Sequence, residues 1–260
     1  MRADLYLCEY GFVESRTKAG RLISEGKVML DGNRIKKPSE NIDDGEHSVE
    51  ILEEDRYVGR GGLKLEGALD SFKVDVRGKR CIDVGASTGG FTDCLLQNGA
   101  DFVCAVDSGR GQLHEKLLCD ERVTSIEGFN ARGLTPDEFG FFDIAVTDVS
   151  FISQTLLHAP IASVLKEGAS FISLIKPQFE AGKSALGKNG IVKKPRDREN
   201  AILRVVESAA ICNLALEGLI RSPIVGGDGN REYLAIFKKG GKKMIPDDML
   251  KRTIKEICLD

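Results

Sequence analysis

Residues 81–100 read CIDVGASTGGFTDCLLQNGA, and this stretch decides the fold. An apolar run ends in Asp83-Val84-Gly85, small residues follow, and a helical pattern starts at Phe91. Strand, glycine-rich turn and helix in that order open a nucleotide-binding α/β sheet. Yet the turn is not G-x-G-x-x-G. Ser87 stands where a dinucleotide site needs the glycine that lets the backbone approach a pyrophosphate. Asp107, the first acid after the next apolar run, follows at about the ~20-residue distance where a carboxylate accepts both ribose hydroxyls. A nucleoside ligand without pyrophosphate fits this pattern better than NAD does. S-adenosylmethionine is such a ligand: its ribose would meet Asp107 and its amino-acid end the backbone at Gly85–Gly89. The expected cofactor set is Asp83, Gly85, Ser87, Thr88, Gly89, Gly90, Phe91, Asp107 and Asp148. Asp83 would orient the loop or meet the methionine ammonium directly.

Outward from this turn, β-prone runs lie near 80–84, 101–107, 122–127, 143–148 and 169–175, separated by helical stretches. The alternation predicts a mostly parallel, Rossmann-like sheet with helices on both faces. Two further runs, near 214–222 and 232–237, have no helix between them and should form an antiparallel hairpin at an edge. Residues 178–200 are the longest polar interruption and read as a loop. Asp148 and Lys176 fall at the ends of successive parallel strands, which should bring them together at the ligand edge. Lys64 opens the first helix after the linker, and Glu232 begins the last strand. A lysine placed after an apolar strand and before a proline is a poor choice for solubility alone.

The first 55 residues form a separate α/β module: two short helices, a hairpin around Asp31-Gly32-Asn33, and a closing strand in HSVEIL. Ser15 is the expected N-cap of the second helix and Gly26 its stop. The charged, glycine-rich stretch that follows reads as a linker, so the expected division is 1–55, a linker at 56–62, and 63–260. The net charge is −3, but its distribution is uneven. Arg2, Arg16, Lys18, Arg21 and Lys27 crowd the first module, whereas residues 38–55 carry acids and no Lys or Arg. A basic face beside an acidic strip suits one-sided binding of nucleic acid.

These residues carry a resemblance. Residues 61–260 resemble the ribose 2′-O-methyltransferases of the FtsJ type, whose catalytic set Lys-Asp-Lys-Glu falls in order on Lys64, Asp148, Lys176 and Glu232. Residues 1–55, notably the stretch YGFVESRTKAGRLISEGKVMLDG, resemble the S4-type RNA-binding domain. The two joined in this order, with RGGLKL at the junction, are similar to the TlyA family, also called haemolysin A. The resemblance implies S-adenosylmethionine-dependent methylation of cytidine 2′-hydroxyls in ribosomal RNA, with ribosomal RNA or ribosomal subunits as partner. The resemblance further implies that longer members act on the RNA of both subunits, and the place of this chain in that division stays open, as does its oligomeric state.

Other readings are weaker. An amino-group methyltransferase often stacks its base on an Asn/Asp-Pro-Pro-aromatic turn, and here Asp148-Val149-Ser150-Phe151 lacks the prolines. A pyrimidine carbon-5 enzyme needs a cysteine nucleophile, which no strand end before the site supplies. An RNA-binding assembly factor without methyl transfer is the alternative of a different class. The seven cysteines contain no C-x-x-C pair, and the three histidines show no ligand spacing, so neither a disulfide scaffold nor a metal site is expected. With no signal peptide and no run near the ~18 apolar residues of a membrane span, a cytoplasmic protein is expected and a membrane-active haemolysin is not.

Overall fold

The computed structural model describes residues 1–43, 45–52, 56–226, 229–242 and 245–259, in two units, Met1–Arg56 and Tyr57–Asp260. In the first unit, helices α1 (Ala3–Glu9) and α2 (Arg16–Ser24) precede strands β1 (Val28–Leu30), β2 (Asn33–Arg34) and β3 (Val49–Ile51). The strands form an antiparallel sheet in the order β2-β1-β3. Ser15 caps α2 by accepting the Lys18 N–H at 3.2 Å, as its position before the apolar pattern requires. Asp31 and Gly32 both take positive φ, 49° and 75°, the pair of left-handed residues that a tight hairpin demands. Leu7, Leu22, Ile23 and Val28 close the small core.

The second unit holds strands β4 (Arg80–Val84), β5 (Phe102–Asp107), β6 (Val123–Glu127), β7 (Phe142–Thr147), β8 (Leu165–Ile175), β9 (Leu214–Arg221) and β10 (Tyr233–Lys239). Its helices are α3 (Gly61–Phe72), α4 (Gly90–Gln97), α5 (Glu115–Leu118), α6 (Pro136–Phe139), α7 (His158–Ser163), α8 (Pro177–Glu180), α9 (Pro195–Ile211) and α10 (Asp247–Cys258). The sheet order is β6-β5-β4-β7-β8-β10-β9. Strands β4 to β8 pair in parallel, while β10 runs antiparallel to both β8 and β9. The chain builds outward from β4 to β6 and then crosses to β7, so the strand order reverses between β4 and β7. Ligands of such sheets bind at the carboxyl ends of the strands at that point.

Alternation along the strands divides the apolar side chains between two cores. Ile82, Val84, Phe171 and Phe237 pack on the face of α7, α9 and α10. Cys81, Val103, Ile144 and Ile172 pack on the face of α3, α4 and α5. A fully buried Phe such as Phe171 contributes ~1.5–3 kcal/mol by this burial.

Three segments differ from the sequence reading. Residues 57–62 belong to the second unit: Tyr57 is buried, Val58 N–H donates to Asp93 Oδ2 at 2.9 Å, and α3 begins at Gly61. Composition suggested a linker because small residues there serve packing; a Cβ on Gly62 would lie 2.3 Å from the Tyr57 ring. The polar loop expected to reach residue 200 ends at α9. Pro195 stands in the first turn of α9, and Ala201, Ile202, Val205 and Ala209 bury one face. Helix α10 lies beyond the last element read from the sequence; Leu250, Ile254 and Cys258, four apart, are its buried stripe.

Candidate active site

The glycine-rich turn follows β4, and steric room accounts for its composition. Gly85 has φ +87°, and a Cβ there would lie 2.8 Å from Val149 and 3.1 Å from the Asp148 carbonyl oxygen. Two strand ends approach too closely for any side chain at this position. Ser87 is also left-handed, at φ 49°, and its N–H donates to Asp107 Oδ2 at 2.8 Å. The other Asp107 oxygen accepts the Gly109 N–H at 2.7 Å. Asp107 thus braces two loops. A carboxylate has about four acceptor positions, so two amides do not exhaust it.

Asp83 lies behind the turn, fully buried, and accepts the Thr92 hydroxyl on Oδ2 at 2.7 Å. Its Oδ1 is buried with no hydrogen-bond partner. Burial pushes this carboxyl up to about 7, with the Asp148 charge adding in the same direction against the Thr92 hydrogen bond. Asp83 lines neither of the cavities described next, which favours the loop-orienting one of its two expected roles.

A cavity of about 470 Å³ opens at the ends of β4, β5 and β7, lined by Gly85, Ser87, Asp107, Gln112, Asn130 and Val149 among others. A hollow of about 160 Å³ adjoins it, sharing Gly85, Ser87, Asp148 and Ser150 and adding Thr88, Gly90, Phe91 and Lys176. A groove of equal volume between α9 and α10 is mostly apolar, lies beside the start of β9, and contains none of these groups.

The four expected ionisable residues form two close pairs. Lys176 follows β8 directly, and its Nζ lies 2.5 Å from Asp148 Oδ1, just past the end of the parallel neighbour β7. That approach is an ion pair rather than an aligned hydrogen bond; the Lys176 hydrogen bond goes to Ser150 Oγ at 2.8 Å. Lys64 on α3 donates to Glu232 Oε2 at 2.6 Å, with both side chains nearly inaccessible. The β8–β10 ladder sets Tyr233 opposite Ile175, so one step further along the register sets Glu232 opposite Lys176. The first turn of α3 completes the approach, since a Cβ on Gly61 would lie 3.6 Å from Asp148 Oδ2. The result is a Lys64–Glu232 pair and a Lys176–Asp148 pair at one sheet edge, the second of them open to the small hollow. Such an edge can orient a lysine amine toward a hydroxyl and stabilise charge as the hydroxyl ionises.

Sequence reasoning missed three contributors. Ser150 holds the Lys176 ammonium, but a serine in a strand-end loop carries no distinguishing signal. Glu180 caps the same loop from below, accepting the Ser153 hydroxyl at 2.5 Å and the Gln154 N–H at 2.8 Å. Phe151 is 93% exposed, takes φ +64°, and lies 5.3 Å from the Phe179 ring. A bulky residue held exposed and left-handed is costly, and such strain gathers at functional sites.

In the first unit the five expected RNA-contacting residues all pair with acids. Arg2 and Arg16 meet Asp4 at 2.9 and 3.2 Å, Lys18 meets Glu14 at 3.4 Å, and Arg21 and Lys27 meet Glu25 at 3.8 and 3.4 Å. Among the described residues, no three of His, Cys, Asp and Glu are grouped as metal ligands, and no helix is long and apolar enough to cross a membrane.

Residues 57–239 match the profile of the FtsJ-like methyltransferase family, and residues 1–47 match that of the S4 domain. The 16S/23S rRNA (cytidine-2'-O)-methyltransferase TlyA of Mycobacterium tuberculosis is 41% identical over 234 residues, 89% of this chain and 87% of that protein. Hemolysin A of Brachyspira hyodysenteriae is 41% identical over 239 residues, 91% of this chain and 99% of that protein. A solved structure from Streptococcus thermophilus, provisionally named a hemolysin, has a TM-score of 0.79 at 42% identity and covers 99% of this chain and 95% of its own.

Proposed function

Because this chain belongs to the FtsJ-like methyltransferase family, in the branch of TlyA and hemolysin A, we propose that it methylates a ribose 2′-hydroxyl of cytidine in ribosomal RNA. The observation that carries the reading is Lys176 held by Asp148 and Ser150 in the hollow beside the glycine-rich turn. The cofactor is S-adenosylmethionine, whose sulfonium supplies an electrophilic methyl group. The residues fit it: the larger cavity is lined by both polar and apolar groups, Asp107 retains acceptor capacity for a ribose, and Ser87 replaces the pyrophosphate glycine. Gly85, Thr88, Gly89, Gly90 and Phe91 shape the turn around it, and Asp83 with Thr92 fixes that turn from behind.

A ribose hydroxyl is a weak nucleophile and must lose its proton as it attacks. Lys176 Nζ is the acceptor, and it takes the proton only as the free amine. Asp148 and Ser150 hold that amine in one orientation, so the proton leaves along a fixed line. Glu232 fixes Lys64, which stabilises charge at the same edge as the hydroxyl ionises. The exposed Phe151 ring offers a stacking face for a base next to the reacting ribose. The first unit, through Arg2, Arg16, Lys18, Arg21 and Lys27, anchors the RNA by its phosphates. A ribosomal RNA substrate places the work in the cytoplasm.

Single-turnover transfer of labelled methyl to ribosomal RNA or ribosomal subunits tests the reading. Lys176→Ala should lower the rate ~10²–10⁴-fold with cofactor affinity retained, since it removes the proton acceptor and little core. Near-wild-type transfer by Lys176→Ala would sink the catalytic assignment. RNA binding with no transfer by the wild type would favour an assembly factor instead.

A further inference from the structure

Both cations of the reacting edge are already neutralised, Lys64 by Glu232 and Lys176 by Asp148. Neither is free to hold a phosphate, yet a ribose in a strand carries phosphates on both sides. The second unit needs positive charge elsewhere near this edge. Residues 181–196, AGKSALGKNGIVKKPR, contain five Lys or Arg and no Asp or Glu. The exposed side chains of Lys183, Lys193, Lys194 and Arg196 make no ion pair among the described residues. The stretch begins close to the site in the chain: Lys183 follows Lys176 by seven residues, across the single turn of α8.

Buried side chains also hold the backbone at residues 190–193. Asn230, 2% exposed, accepts the Val192 N–H on Oδ1 at 3.0 Å and donates to the Gly190 carbonyl at 3.2 Å. Arg198, 3% exposed, donates to the Lys193 carbonyl at 2.9 Å. Asn230 precedes Glu232 by two residues, a span of at most ~7 Å of extended chain. An ordinary solvated lysine run does not have buried side chains holding its backbone beside a catalytic carboxylate. Preorganised cations with unengaged heads suit a polyanion, because binding then costs little further ordering.

We propose that Lys183, Lys193, Lys194 and Arg196 form a second RNA-backbone-binding surface, which grips the phosphates beside the target ribose independently of the first unit. The inference rests on the methyl-transfer reading for its choice of RNA as occupant. The loop controls local docking of the target strand, and the first unit contributes a separate anchor.

The test is the full-length Lys183→Ala/Lys193→Ala/Lys194→Ala variant, which changes only side chains outside the catalytic and cofactor sets. Anisotropy with a short oligocytidylate, over a salt series, should show about tenfold weaker binding. The log–log salt slope should fall by about 2, since each single-strand phosphate contact contributes ~0.7. S-adenosylmethionine affinity should be unchanged, and the triple Lys→Arg variant should restore RNA affinity. Unchanged affinity and slope in the alanine variant would overturn the proposal, as would failure of the arginine variant to restore binding. If the wild type bound RNA through this loop but transferred no methyl group, the surface would stand and the catalytic reading would fall.

Discussion

Asp4 and Asp83 are buried acids, one in each unit, and the protein treats them in opposite ways. Arg2 donates to both oxygens of Asp4 and Arg16 adds a third bond on Oδ2, and these guanidiniums hold its carboxyl down at about 2. Asp83 is held by Thr92 alone and has nothing on Oδ1, and burial pushes it up to about 7. The first arrangement is the usual one for a buried carboxylate. The second leaves a polar atom unmatched behind the turn assigned to the cofactor. Unmatched and perturbed groups collect where ligands act, because the fold there is arranged for chemistry as well as for its own stability. The ion pairs repeat the contrast: those of Arg2, Arg16, Lys18, Arg21 and Lys27 each keep one partner open to water, whereas Lys64–Glu232 is sealed inside the second unit.

The largest effect should come from splitting that sealed pair. Glu232→Ala leaves the Lys64 ammonium buried with no counter-charge, which should cost ~3–5 kcal/mol in denaturant unfolding. Replacing both together, as Lys64→Met with Glu232→Leu, should recover most of that loss while leaving the enzyme inactive. A cost below ~1 kcal/mol for Glu232→Ala would mean the pair behaves like an exposed one, and the contrast between units would fail.

The two aspartates should then give opposite pH dependences. Asp4 titrates below its ordinary range when folded, so its contribution is present above pH ~4 and is lost as pH falls toward about 2. Asp83 titrates above its ordinary range, so its contribution is full below pH ~4 and is lost as pH rises through about 7. Each unit of that gap corresponds to ~1.4 kcal/mol once the carboxyl is ionised. Chemical unfolding between pH 5 and pH 8 should show the second unit weakening, and Asp83→Asn should flatten the curve. A wild-type curve that stays flat over the same interval, with its slope unchanged in the Asn variant, would mean Asp83 is charged and well matched.

A smaller effect is expected at Asp107. Its two oxygens brace the Ser87 and Gly109 amides before any ligand contributes. Asp107→Ala should weaken S-adenosylmethionine by ~1–3 kcal/mol through lost charge-assisted hydrogen bonds. Calorimetry should also find no comparable affinity for NAD. Equal affinity for the two would contradict the meaning given to Ser87.

Much of this was legible in the sequence because period and punctuation were local. The β-prone runs of the second unit became its seven strands, Ser15 capped its helix, and the strand-end positions of Asp148 and Lys176 foretold their meeting. What stayed hidden depended on distance or on disguise. Lys64 and Glu232 are 168 residues apart in the chain, and only the β8–β10 register and α3 bring them to one edge. Arg198 sits in a run of charges that reads as solvated, yet it is buried because three backbone carbonyls, of Val192, Lys193 and Cys258, accept from it. Tyr57 lay in a glycine-rich stretch whose small residues signal flexibility in composition and close packing in the fold.

The smallest effect on stability should come from the surface pairs of the first unit, and it tests whether they are placed for exchange. Arg16, Lys18 and Arg21 replaced together by alanine remove three cations, but no buried acid loses all its partners. Asp4 keeps Arg2, Glu25 keeps Lys27, and the Glu14 side chain is 60% exposed to water. Exposed pairs of this kind contribute ~0.2–1 kcal/mol each, so unfolding of the first unit should shift only slightly. A phosphate can therefore displace such a carboxylate at little cost, and the cations remain available to RNA although each is paired in its absence. The variant should bind RNA more weakly, with a salt slope lower by roughly 2–3 for three phosphates, while cofactor affinity stays unchanged. Undiminished RNA binding would show that these ion pairs are structural and that the anchor lies outside the first unit.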